Sequence, residues 1–212
     1  MTRPDVVILD LDRTICAFPA TTRIYKRLFL APPASPQYLA WGALMLLLMH
    51  GLWFHPPAVR LQRRIVMSLL ARVPAERLDA CVHEVAMEVI EDWQRGLGRR
   101  IASLMASAEA TYLLSHCPQP LGEEVASALG LSGAHTVAVA DYLGGAPGDI
   151  YDKGATLEFL RTRHPGATFH VFADDLVDLP ILRRAEVGTL VNGSWWSRRV
   201  CRIFFPRIRI WS

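Results

Sequence analysis

Val6-Val7-Ile8-Leu9 is a short, unbroken apolar run that ends in acids at Asp10 and Asp12. A β-branched run without polar alternation fits a strand covered on both faces, as in parallel sheets flanked by helices. Similar runs recur at 111–114, 136–140, 169–172 and 189–191, with helical patterns between most of them at 120–129, 154–163 and 179–185. The alternation predicts an α/β fold, a doubly wound parallel sheet whose first strand carries two carboxylates at its C-terminal end.

The stretch 17–95 breaks the alternation with helical patterns, prolines and no convincing strand. It is read as a helical insert between two pieces of one core, 1–16 and 96–212. Leu78, Val82, Val85, Val89 and Trp93 recur at helical spacing, and Asp79, Glu84, Glu88 and Asp92 mark the opposite, wet face. Pro32-Pro33-Ala34-Ser35-Pro36 reads as a linker.

Within the insert, 38–54 carries no formal charge and sits at the lower limit for a spanning helix, roughly 17 to 25 residues. A single crossing would put Asp10 and Asp12 on the other side of a bilayer from every later strand, so one sheet excludes a lone span. A hairpin dipping into one leaflet, an interfacial helix and an apolar element of the insert's own core remain. Tyr38, Trp41 and Trp53, with Arg23, Lys26, Arg27, Arg60, Arg63 and Arg64 on the flanks, favour membrane surface contact through 38–54 over a buried core. The tail beyond Trp195 alternates basic and apolar residues and fits a second surface anchor, an edge strand or a terminal helix. Trp195-Trp196 could cover the sheet, bind an apolar group or face lipid.

With 212 residues, 51% of them hydrophobic, the chain has enough for one α/β core plus a small accessory unit and is too apolar to be disordered. A net charge of +3 argues against nucleic acid as a partner. Cys16, Cys81, Cys117 and Cys201 are scattered without a CxxC pair, which suggests reduced thiols in the cytoplasm. The N-terminal residues lack the apolar region of a signal peptide.

Four pieces carry chemistry. Asp10-Leu11-Asp12-Arg13-Thr14 places two carboxylates two residues apart and then a hydroxyl, so that one acid could attack an electrophile while the other handles protons. Ser115 and His116 follow the second predicted strand and precede Pro118 and Pro120, where a hydroxyl and backbone N–H groups at a helix start would bind an anion. Lys153, one of only two lysines, lies just before a helix, where an ammonium could neutralise a phosphate. Asp174-Asp175-Leu176-Val177-Asp178 is a second acidic cluster after another strand, offering hard oxygen ligands for Mg²⁺. Each has an ordinary alternative: loop acids, a helix-capping serine, a solvated lysine. Together, each at a strand end, they mark one site at the carboxyl edge of the sheet. By contrast His83-Glu84 lacks the second histidine of a zinc-binding HExxH helix, and the glycines at 144–148 lack P-loop spacing.

These four pieces, in this order, resemble the haloacid dehalogenase (HAD) superfamily of phosphohydrolases. The resemblance implies a HAD-like Rossmannoid core with Asp10 as the nucleophile that becomes an aspartyl-phosphate and Asp12 as general acid, then base. Ser115 and Lys153 would hold the phosphoryl group, with Thr14 and His116 beside them. Asp10, Asp12 through its carbonyl, and Asp174 would ligate Mg²⁺, while Asp178 and Asp175 would orient water on the ion or Lys153. An acid at Asp12 points to the phosphatase branch, since dehalogenases have none there and P-type ATPases carry threonine. Arg13 and Ala173 stand where glycine is common in the superfamily. An insert between the first and second motifs is similar to the C1 caps of subclass IB, the phosphoserine-phosphatase-like members. Its apolar character is most similar to the bacterial phosphatidylglycerophosphatase C group, and 174–192 is also similar to HAD domains associated with polyprenyl transferases.

The expectation is thus a Mg²⁺-dependent phosphomonoesterase acting on a phosphate-monoester substrate, a lipid phosphate such as phosphatidylglycerophosphate, at the cytoplasmic face of the inner membrane. The alternatives are a soluble phosphatase of a small metabolite such as phosphoserine, and a catalytically silent lipid-binding accessory protein.

Overall fold

The computed structural model describes residues 5–30, 36, 39–40, 42–44, 68–137 and 153–211. The segment 38–54, apart from 39–40 and 42–44, lies outside these residues, as do the linker at 32–35, the glycines at 144–148 and both His50 and His55. Among the described residues no helix is long and apolar enough to cross a membrane.

Six strands form one parallel sheet: β1 (Val6–Leu9), β2 (Ala110–Pro118), β3 (Gly133–Val137), β4 (Phe169–Ala173), β5 (Val187–Val191) and β6 (Arg209–Trp211), in the order β3-β2-β1-β4-β5-β6. Every residue of β1 is fully buried, as its unbroken apolar run requires. Val7 and Leu9 join one apolar cluster and Val6 and Ile8 the other, so helices cover both faces. On the first face lie α1 (Ala20–Tyr25), continued by a π-helical turn (Lys26–Leu30), then α2 (Ala75–Arg95), α3 (Leu97–Ser107) and α4 (Gln119–Ala128). On the second lie α5 (Lys153–Arg163), α6 (Leu179–Arg184) and the inner side of α7 (Trp195–Phe204).

The doubly wound α/β expectation is met. The chain leaves β1 towards β2 and β3 on one side and returns to β4 and β5 on the other, which makes the carboxyl ends of β1 and β4 the switch point where such folds bind ligands. Two boundaries differ most. The second strand does not stop at Leu114 but continues to Pro118, because β3 pairs with it there after a register shift between Leu114 and Pro118. The third begins earlier than expected, at Gly133, and 138–140 lie outside the described residues.

In the described part of the insert, Leu78, Val82, Val85, Val89 and Trp93 are all buried in the same cluster as Val7 and Leu9. Asp79 and Glu84 are exposed, but Glu88 and Asp92 are half-buried because they bridge elements. Glu88 pairs with Arg23 and Arg27, Glu84 takes a second bond from Arg27 at 3.0 Å, and Asp92 accepts from the Ala17 N–H. The wet face of α2 is where α1 and its continuation are fastened.

Candidate active site

Asp10 directly follows β1, and its N–H donates to the Phe172 carbonyl at 2.9 Å, which extends the ladder and sets Asp10 beside the end of β4. Asp174 is the first residue past β4, and Asp178 closes the 3-10 turn Leu176–Asp178 that follows. Carboxylate oxygens of Asp10, Asp174 and Asp178 lie within 4.8 Å of one another. Lys153, the first residue of α5 rather than the residue before it, donates to Asp10 Oδ1 at 2.9 Å and pairs with Asp178 Oδ1 at 2.6 Å. Four side chains drawn from three separated stretches thus meet at the switch point.

The electrostatics follow from burial and charge. Burial, reinforced by Asp10, Asp178 and Asp175, pushes the Asp174 carboxyl up to about 8. Asp178 is pushed up to about 6, burial outweighing its pairing with Lys153. Burial alone would lower the Lys153 ammonium, but Asp10 and Asp178 reverse that and hold it above its ordinary value. Lys153 thus pairs with two of the three close carboxyls, Asp10 and Asp178, and Asp174 feels only the weaker pull of Arg13 against its three acidic neighbours, a repulsion that a divalent cation would offset. Three oxygen donors at this spacing suit a hard ion that keeps water and phosphate as its other ligands. Mg²⁺ is expected to raise the thermal midpoint of the chelator-treated protein by about 5 °C at saturation. The shift should be larger at pH 8 than at pH 6, because protons on Asp174 and Asp178 compete with the ion. Thermal unfolding with EDTA or MgCl2 checks this, and equal midpoints at both pH values would remove the case for an ion.

Asp12 stands apart from the trio. Its Oδ1 accepts from the Ala20 N–H at the start of α1 at 2.8 Å, and burial together with the charge of Asp10 pushes it up to about 7. A carboxyl so placed takes up and gives up a proton near neutrality. Thr14 is buried, and its hydroxyl has no hydrogen-bond partner among the described residues. Ser115 is buried within β2 itself, with half-buried His116 after it. It does not cap α4, whose N-cap is Pro118 without a side-chain bond. The neighbouring Cys117 thiol is pushed far up, by burial first and then by Asp12 and Asp10, so this strand end adjoins the site. Asp175 turns away: its Oδ1 accepts from the Leu176 N–H at 2.6 Å and from the Ser197 hydroxyl at 3.4 Å, outside the trio.

The loop after β1 is held by residues that motif reading passes over. Arg13, at a position where glycine is common in the resembling superfamily, has φ +56°, the left-handed region that glycine enters freely and arginine does not. Its carbonyl accepts from Asn192 Nδ2 at 3.0 Å, and Asn192 is itself left-handed at φ +51°. At Gly193 a Cβ would lie 2.7 Å from Leu190 and 3.3 Å from the Asp174 carbonyl, so the turn after β5 closes tightly on the acidic loop. The only signal for this strap is the Asn-Gly pair after an apolar run, which reads as a turn and nothing more.

A family model described as haloacid dehalogenase-like hydrolase matches residues 7–183. No curated protein matches the chain. Among solved structures, a HAD family hydrolase, t0658, from Salmonella enterica subsp. enterica serovar Typhi is 17% identical with a TM-score of 0.61, and covers 92% of this chain. The chain spans only 64% of that protein's length. A protein described as of unknown function from Bordetella pertussis Tohama I is 13% identical with a TM-score of 0.71, covering 100% of this chain and 99% of its own. A phosphoserine phosphatase solved as a phospho-aspartyl intermediate analogue is 13% identical with a TM-score of 0.60, covering 99% and 93%. At these identities the likeness is one of fold.

Proposed function

We propose that this chain, which belongs to the haloacid dehalogenase-like hydrolase family, is a phosphatase that hydrolyses small, water-soluble phosphomonoesters, phosphoserine among them, a reading its aspartate cluster supports. The observation that carries the chemistry is that two carboxylates two residues apart occupy two environments. Asp10 is buried and takes a hydrogen bond from Lys153, whereas Asp12 is half-buried, tied to the Ala20 N–H and pushed up to about 7. Paired acids in unlike surroundings divide nucleophilic and proton-transfer work.

In this proposal an Asp10 oxygen attacks phosphorus, the ester P–O bond breaks, and the leaving oxygen takes the Asp12 proton. Water then gives a proton to Asp12 as its oxygen attacks phosphorus, the bond between phosphorus and the Asp10 oxygen breaks, and orthophosphate leaves with the Asp10 carboxylate restored. Lys153, Ser115 and Thr14 hold the phosphoryl oxygens, with His116 beside them. Asp10, the Asp12 carbonyl and Asp174, with Asp178 adjoining, would hold Mg²⁺, which offsets the repulsion between a carboxylate and a phosphate dianion. Asp175 acts through the turn it caps. The insert 17–95 serves as the cap that selects the leaving group, and four buried free cysteines support a reducing, cytoplasmic setting.

Solved structures described as phosphoserine phosphatases, which share this fold over 92–99% of the chain, support the small-substrate reading. A second reading, hydrolysis of a lipid phosphate such as phosphatidylglycerophosphate as in the group C phosphatases, is favoured by the uncharged segment 38–54. Purified protein with Mg²⁺, assayed against a panel of soluble and micellar lipid phosphomonoesters, is expected to give its highest kcat/KM on a small soluble ester. A higher value on the lipid ester would select the second reading, and no phosphate release from any member would overturn both.

A further inference from the structure

The helix α7 is built inside out. Its contact with the core runs through two small residues one turn apart, Ser197 and Cys201, both buried. Its outward side carries Trp195 at 64% exposure, Trp196 at 60% and Ile203 at 60%, while Phe204, also exposed, ends the helix three residues after Cys201 and off that face. Trp195, Arg199 and Ile203 follow at i, i+4 and i+8, so they share a face with Trp196. The Arg199 guanidinium lies 5.3 Å from the Trp195 ring centre, and the two indoles stand 6.3 Å apart. Large apolar side chains gathered on one exposed face mark a contact surface rather than scattered surface residues.

Charge narrows what the contact can be. After Glu186 the chain contains five arginines, at 198, 199, 202, 207 and 209, and no acid. Arg199, Arg202, Arg207 and Arg209 are exposed, and none of the five forms an ion pair among the described residues. Indole and phenyl rings interleaved with unpaired guanidinium groups suit the headgroup level of an anionic bilayer, where the rings enter the boundary and the guanidinium groups meet phosphate. We propose that α7 docks this protein on anionic membrane surfaces. Ser197 of the docked helix donates to Asp175, and Asn192, in the turn that leads into the helix, donates to the Arg13 carbonyl, so both lie against the loops of the active site.

The proposal does not depend on the substrate, and its test reads binding rather than turnover. The full chain is floated with phosphatidylcholine vesicles, with and without phosphatidylglycerol. Flotation is expected only with the anionic lipid and to weaken with added salt. W195S/W196S and R199Q/R202Q should each lower binding by about tenfold or more, while aryl phosphate hydrolysis in solution stays at the parent rate and reports an intact fold. Parent protein left in the aqueous fraction with both vesicles would overturn the proposal. So would flotation of both variants at the parent level, or a patch that holds two copies of the chain together in lipid-free light scattering while vesicle binding is unchanged by its substitution.

Discussion

Asp10→Asn protein is expected to hydrolyse an aryl phosphate with Mg²⁺ at least roughly 10,000-fold more slowly than the parent, the scale on which loss of a nucleophile is felt. The amide keeps the shape of the side chain and can still accept from Lys153, 2.9 Å away, so the fold has no reason to fail. Two effects on stability oppose each other. Asp12, Asp174 and Asp178 each lose a negative neighbour that holds their carboxyls up, and Lys153 loses one of two anionic partners. The thermal midpoint of the metal-free variant should therefore stay within a few degrees of the parent, which separates lost chemistry from lost structure. Parent-level turnover by folded variant protein would end the assignment of Asp10 as nucleophile.

Lys153→Ala is expected to be the most destabilising single change at the site. It leaves the buried Asp178 carboxylate without its partner at 2.6 Å, at a cost of about 3–5 kcal/mol when the carboxylate is charged. The pH dependence identifies the cause. Because the folded-state values of Asp178, Asp12 and Asp174 are raised to about 6, 7 and 8, the folded protein holds more protons than the unfolded chain from about pH 4 upward, and metal-free stability falls as pH rises through that window. Lys153 is also raised, so it stays protonated below its ordinary value near 10.5 and its own titration adds no slope there, which leaves Asp178 as the source of any pH dependence in the variant. At pH 5 Asp178 is mostly protonated and the alanine variant should lose much less than at pH 8. Denaturant unfolding in EDTA at the two pH values measures this, and equal losses would show that Lys153 acts by packing alone.

The parallel sheet was legible because buried strands must be apolar on both faces: β1 and β4 read directly as VVIL and FHVF, each ending in acids. The meeting of Asp10, Asp174 and Asp178 was legible from order, since strand ends in such a sheet share one edge, whereas Lys153 starts a helix and its place beside them was implied by the HAD resemblance. The end of β2 was not legible, because His116 and Pro118 look like loop residues and only pairing with β3 keeps them extended. Nor was the difference between Asp175 and Asp178, two acids in one cluster. A 3-10 turn sends Asp178 towards Lys153 and leaves Asp175 as its cap. The half-buried acids of α2 read as wet because the partners of Glu88, Arg23 and Arg27, and that of Asp92, the Ala17 N–H, lie 61 to 75 residues earlier in the chain.

The strand at the centre of the sheet is also the first to be synthesised. β1 pairs with β4 through Val6 and Phe169, and Asp10 meets a lysine 143 positions away. At a translation rate of about 5–20 residues per second, an apolar VVIL segment waits many seconds for its second neighbour. Contacts of such long range also make folding intrinsically slow. The nascent chain therefore passes through a period in which its most hydrophobic strand is unpaired on one edge, the kind of exposed surface that chaperones shield from aggregation.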